Sequence, residues 1–160
     1  MGETFDENYL SNVSSIERFA DSILSYIPNM LLPTKMVKIK RLKDFFDIVR
    51  YDKKYALEDI PNVKKFYVGH SVSVSSKARG LGIGKELIRR TMTLAKEKEC
   101  SYVYILATGI YSQAIFKSLG FTLLKEKVYD EFKDYDGTQF FSDMREHKKA
   151  QVVAYDLSNF

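Results

Sequence analysis

The sequence predicts an α/β domain, and three observations carry that expectation. From Lys64 to Val74 the residues alternate. Phe66, Val68, His70, Val72 and Val74 share one parity, with Tyr67, Gly69, Ser71 and Ser73 on the other, the period-2 signature of a strand. A glycine-rich turn, Arg79-Gly80-Leu81-Gly82-Ile83-Gly84, then opens a segment running to about Glu99. In it Ile83, Leu87, Ile88, Thr91, Leu94 and Ala95 recur at helical spacing. From residue 64 the whole reads β-α-β-α-β-loop-β.

The remaining elements follow from local signals. Ser14-x-x-Glu17 has the form of a capping box, with Ile16, Phe19, Ala20, Ile23, Leu24 and Ile27 behind it at helical spacing. After Pro28 and Pro33 a second helix is expected from about Thr34, burying Met36, Ile39, Leu42, Phe45, Phe46 and Val49. Tyr55 to Val63 is irregular, broken by Pro61. Residues 1–63 therefore read as a helical segment without strands. Tyr102 to Leu106 is a short buried strand, and Tyr111 to Ser118 a short helix closed by Leu119-Gly120, with glycine where a helix stops. Phe121 to Tyr129 and Gln151 to Leu157 are strands, separated by a turn at Asp134 to Gly137. Residues 1–160 form one expected domain, with 64–157 as its core and C-terminal hairpin.

Composition narrows the function classes. Hydrophobic residues at 45 % and charged ones at 29 % describe a globular chain. No stretch approaches the roughly 20 apolar residues of a membrane span. The start lacks the basic and apolar regions of a secretory signal, and Asp6 stands where a myristoylation motif requires Ser or Thr. With one cysteine, Cys100, neither a disulfide framework nor a cysteine zinc site can form. A cytoplasmic location and no metal are the expectations, with Cys100 packed beside the core. Lys35, Lys38, Lys40, Arg41 and Lys43 read as a solvated helix face, so no nucleic-acid partner is expected. The net charge of +4 suits an anionic ligand.

Glycines between a strand and a helix make an anion site, because the first N–H groups of the helix are unpaired and its dipole favours negative charge. Spacing separates the possibilities. A P-loop fails because Arg79 occupies its first glycine and Glu86 its Ser/Thr; a dinucleotide fingerprint fails because Lys85 occupies its third glycine. The pattern [RQ]-x-x-G-x-[GA] is met by Arg79-x-x-Gly82-x-Gly84. With Ser112-Gln113-Ala114-Ile115-Phe116-Lys117-Ser118-Leu119-Gly120-Phe121 farther on, it resembles the acetyl-CoA-binding core of the GNAT acetyltransferase superfamily. A narrower likeness is to the insect-type arylalkylamine N-acetyltransferases. It is carried by Val74-Ser75-Ser76-Lys77-Ala78-Arg79-Gly80-Leu81-Gly82-Ile83, by Tyr111-Ser112, and by a closing hairpin through Val128-Tyr129-Asp130 and Val152-Val153-Ala154-Tyr155.

The resemblance implies a mixed central sheet flanked by helices, and attack of a small primary amine on the thioester of acetyl-CoA. It implies that the backbone of Val72, Ser73 and Val74 pairs with the pantetheine amides. The N–H groups of Gly80, Leu81, Gly82, Ile83, Gly84 and Lys85 would wrap the pyrophosphate, with Arg79 and Lys85 adding positive charge. Thr108 and Ser112 match two serines assigned to catalysis in the insect-type enzymes; a helix N-cap is the alternative for Thr108. His70, nine residues before Arg79, matches a histidine of the proton-relay pair of the vertebrate enzymes, whose partner position is Val68 here. A hydrogen-bonded strand histidine is its alternative. Phe116 stands where many members carry a tyrosine that protonates the thiolate, and Gly109 where an asparagine is common. Tyr111 reads as a rim aromatic, and His147 as exposed.

The resemblance also implies strands ahead of the central strand, and residues 1–63 offer helices only, with no alternating run; in the insect-type enzymes that missing part carries the glutamate assigned as general base. A truncated family domain is therefore expected. Its open sheet edge would be covered by Ser14 to Ile27, by a second copy of the chain, or by a separate fragment. A catalytically silent acetyl-CoA- or partner-binding module is the alternative function.

Overall fold

The computed structural model describes residues 2–6, 34–51, 65–69 and 71–160. They form a five-stranded sheet, β1 Gly2–Asp6, β2 Lys65–Gly69, β3 Tyr102–Ala107, β4 Thr122–Val128 and β5 Lys149–Asp156. Three helices accompany it, α1 Thr34–Tyr51, α2 Ile83–Glu97 and α3 Ile110–Ser118. The strand order is β1-β2-β3-β5-β4. Only β2 and β3 run parallel; β1 is antiparallel to β2, and β5 is antiparallel to both β3 and β4. The sheet is thus mixed, as expected. No helix among the described residues is long and apolar enough to cross a membrane.

Strand alternation sends side chains into two cores. On the face of α2 and α3, Tyr67, Val103, Ile105, Ala107 and Val153 pack with Ile88, Met92, Ala95 and Phe116. On the face of α1, Phe66, Tyr104, Val152 and Ala154 pack with Phe45, Val49, Tyr129 and Phe132. Cys100 lies in the first core at 5 % exposure, as expected. Glycine closes α3, where the N–H groups of Gly120 and Phe121 reach back to Lys117 and Phe116.

Several expectations need correction. Residues 1–63 are not helical throughout, because Gly2–Asp6 form β1, paired from Gly2↔Gly69 to Asp6↔Lys65. Five residues are too few for a periodic signal, and the hydrogen-bonding edge of β2 supplies what the local pattern does not. The edge assigned to Ser14–Ile27, a second copy or a fragment is therefore taken by β1. The expected helix over Ser14–Ile27 lies outside the described residues, as does Tyr55–Val63. In α1 only the C-terminal half of the expected face is buried: Phe45 and Val49 are enclosed, whereas Met36, Ile39 and Leu42 are exposed. Arg41 does not lie on a solvated face. Its guanidinium stacks over Phe132 at 4.0 Å and Tyr135 at 4.6 Å, a cation–π contact that ties α1 to the loop before β5. In α2, Ile83, Leu87 and Leu94 are exposed, while Met92, 1 % exposed, takes a place in the core. Met92 lies four residues beyond Ile88, so helical spacing alone could have found it.

The central strand also ends early. The alternation runs to Val74, but β2 stops at Gly69. Among the described residues its last pairing with β3 is Gly69↔Ile105, whereas β3 continues beside β5 to Ala107↔Gln151. Beyond that point the parallel strands part. A side chain at Gly69 would sit 3.1 Å from the Ile105 side chain, so glycine permits the close approach just before the split.

Candidate active site

The parting strands open a cleft of about 380 Å³, walled by Gly69, Ser71, Val72 and Ser73 on one side and by Ile105, Leu106 and Thr108 on the other. Leu87, Ile88 and Thr91 of α2 and Ser112 and Phe116 of α3 complete it. Residues 71–75 pair with no strand among the described residues, so their N–H and C=O groups form an edge that an extended ligand can pair with.

The glycine turn adjoins this edge. A single 3-10 turn, Ser76–Ala78, leads into Gly80 and Gly82 at φ values of 81° and 74°, backbone that only glycine adopts without strain. Gly82 is the N-cap of α2 and makes no side-chain cap, which leaves the first-turn N–H groups of Ile83, Gly84 and Lys85 as open donors. Gly84 answers a different need: a Cβ there would meet the Ile115 side chain at 3.1 Å and Val74 at 3.7 Å, so α2, α3 and the open edge converge on it. Glu86, in the same turn, is engaged by Arg90 at 2.9 Å.

The opposite wall is the link from β3 to α3. Its three successive carbonyls are each held by a side chain. Gln113 Nε2 donates to Ala107 O at 3.2 Å and to Lys149 O at 2.7 Å. Tyr129 Oη donates to Thr108 O at 2.6 Å, and Ser112 Oγ to Gly109 O at 2.8 Å. The Ile110 N–H donates to His147 Nδ1 at 3.2 Å. Gly109, not Thr108, is the N-cap of α3, so the capping alternative for Thr108 falls. Thr108 is instead exposed on the cleft wall, and its hydroxyl makes no hydrogen bond among the described residues.

Thr108 and Ser112 thus meet on the cleft with Val72 and Ser73, and the glycine turn lies at its end. His70 lies outside the described residues. Phe116 is buried on the cleft floor, 2 % exposed. Tyr111 is exposed, with its hydroxyl donating to Glu146 at 3.2 Å. His147 is not simply exposed: besides accepting from Ile110 it stands edge-on to Tyr111 at 5.9 Å. Glu146 is held below the usual carboxylate range, chiefly by its own backbone N–H, with Tyr111 contributing. Sequence reasoning missed Gln113, Tyr129 and the α2 wall at Leu87 and Thr91. Both Gln113 and Tyr129 lay within stretches that carry the family resemblance, but nothing local marks the contacts either one makes.

Residues 49–121 match the model of the acetyltransferase (GNAT) family. The fold is that of the GNAT acetyltransferases. Arylalkylamine N-acetyltransferase 2 from Aedes aegypti is 25 % identical with a TM-score of 0.73, over 98 % of this chain and 65 % of that one. The Drosophila melanogaster polyamine N-acetyltransferase, which forms N-acetylagmatine, is 18 % identical with a TM-score of 0.66, over 98 % and 67 %. The C-terminal condensation domain of Ebony, in complex with beta-alanyl-dopamine, is 13 % identical with a TM-score of 0.55, over 97 % and 64 %. The chain thus spans about two thirds of the length of these GNAT-fold relatives.

Proposed function

We propose that this chain transfers an acetyl group from acetyl-CoA to a small primary amine of the arylalkylamine class. The observation that carries the reading is the parting of β2 and β3 beside an unpaired extended segment that runs into an uncapped helix N-terminus. An open edge, a glycine turn and a cleft in that order suit a ligand with an extended amide-bearing arm and a pyrophosphate. Val72, Ser73 and Val74 pair with the arm. The N–H groups from Gly80 to Lys85 receive the pyrophosphate, with the Arg79 and Lys85 charges beside it. Acetyl-CoA supplies the activated acyl group; the amine nitrogen bonds to its carbonyl carbon and the carbon–sulfur bond breaks.

The two hydroxyls divide the work. The proton of Ser112 is committed to Gly109 O, so its oxygen offers lone pairs to the cleft and orients an amine N–H. The unengaged Thr108 hydroxyl donates toward the departing sulfur, a task Phe116 cannot perform. His70, whose sequence neighbours Gly69 and Ser71 line the cleft, is the candidate to accept the proton lost by the amine; imidazole is the side chain suited to that near neutral pH.

Calorimetric titration with acetyl-CoA, followed by a thiol-release assay over tyramine, dopamine, serotonin and agmatine, tests this. Saturable binding with turnover favouring an aromatic amine is expected. Binding without turnover replaces the enzyme by a cofactor-binding module, and absence of binding overturns both. Agmatine preferred over the aromatic amines moves the substrate class to polyamines.

A further inference from the structure

We propose that Tyr129 is a positioning residue of the transfer reaction, its phenol holding the Thr108 carbonyl so that the Thr108 hydroxyl is fixed on the cleft wall. The inference rests on the acetyl-transfer reading. Tyr129 does not line the cleft. It sits in the core on the α1 face, 2 % exposed, with its ring 5.3 Å from Phe45 and 4.8 Å from Phe141. From there its hydroxyl reaches past the end of β3 to Thr108 O at 2.6 Å.

Two features make this bond more than packing. Thr108 has left the ladder, since β3 ends at Ala107, so no strand partner fixes its peptide. The Thr108 side chain is β-branched and stiff about χ1, so fixing its backbone fixes its hydroxyl. Burial pushes the Tyr129 phenol up to about 12, and it remains a donor wherever the enzyme is assayed. The bond also joins a site on one face of the sheet to the aromatic cluster on the other.

The test is a kinetic double-mutant cycle of Tyr129→Phe and Thr108→Ala with saturating amine. Tyr129→Phe keeps the ring in its cluster and removes only the donor. It is expected to lower kcat about tenfold, the scale of a small misplacement of a reacting group, with the KM for acetyl-CoA unchanged. On the Thr108→Ala background it should cost nothing further. Tyr102→Phe is the control, because it removes a comparable phenol bond, to Asp156 at 3.0 Å, on a part of the sheet away from the cleft; its kcat should stay at the wild-type value. If Tyr129→Phe does not fold, 3-fluorotyrosine at position 129 nearly retains the packing, makes the phenol a moderately stronger donor, and is read in the same cycle as a change in kcat that the Thr108→Ala background abolishes. An unchanged kcat in an active enzyme, effects that add in the cycle, or an equal loss in Tyr102→Phe overturns the proposal alone. A wild-type chain that binds acetyl-CoA without turnover overturns the transfer reading, and this proposal with it.

Discussion

Gly82 and Gly84 stand two residues apart and are required for unlike reasons. Gly82 is needed for its backbone, with φ at 74° and nothing near where a Cβ would stand. Gly84 is needed for space, since Ile115 and Val74 close on it. Gly82→Ala should therefore leave the packing intact and cost about 1 kcal/mol in left-handed strain, a fall in Tm of roughly 2–4 °C for a chain of this size. Relaxing that strain would turn the first amides of α2, so acetyl-CoA affinity should fall further than the Tm loss accounts for. Calorimetry paired with thermal melts reads both. Both glycines were legible as a motif, because spacing is a property of the chain. Which one answers to conformation and which to space was not, since Ile115 is remote in sequence. Thr108 and Ser112 were legible as a pair on one wall; that Ser112 spends its proton on Gly109 O depends on a rotamer no pattern encodes.

At the level of elements, α3 begins without a cap of its own, and His147 from the loop before β5 supplies the acceptor that Gly109 lacks. His147→Ala should cost about 1 kcal/mol, the usual worth of a helix cap. Amide exchange should rise at Ile110, while α2, whose N-terminus His147 does not touch, keeps its protection. Equal protection at Ile110 in variant and wild type would refute the assignment. Long periodic elements such as α2 were readable because their signal is local. Two failures share the opposite cause. The β1 strand exists through its pairing with β2, and residues 71–75 pair with no described strand although the alternation runs on to Val74. Strand identity in both cases belongs to the pair, and a single chain segment carries half of it. The exposed half of α1 fails differently: Met36, Ile39 and Leu42 keep helical spacing, but the rings of Phe132, Phe141 and Tyr129 pack on Phe45.

Across the whole molecule, the buried titratable groups set an alkaline limit. Burial pushes the Cys100 thiol above its ordinary 9.0. It likewise raises the phenols of Tyr67 and Tyr129 above 10.0, the latter to about 12. Groups whose folded values are raised contribute stability that is intact below their unfolded values and lost as pH rises toward the folded ones. Denaturant midpoints should therefore hold to about pH 9 and decline from there to about 12. Tyr129→Phe should flatten the upper part of that decline, and an unchanged slope would contradict the assignment of Tyr129 as a buried phenol. The fold class and its mixed sheet were accessible from the order of segments and two motifs. The tie between the two faces was not, because Tyr129, Phe45 and Thr108 come from three distant stretches.

The position of β5 has a consequence for how the domain is made. It is the latest of the described strands in sequence, yet it lies between β3 and β4, and no other described strand joins those two. During synthesis β1, β2 and β3 can zip together as soon as Ala107 emerges, but β4 has nothing to pair with until Asp156 has left the ribosome. For the time needed to translate residues 108–156, about 2–10 s at the usual rate of about 5–20 residues per second, the growing chain presents the bare side of β3. In that interval a chaperone or a neighbouring nascent chain competes with the strand that is still being made.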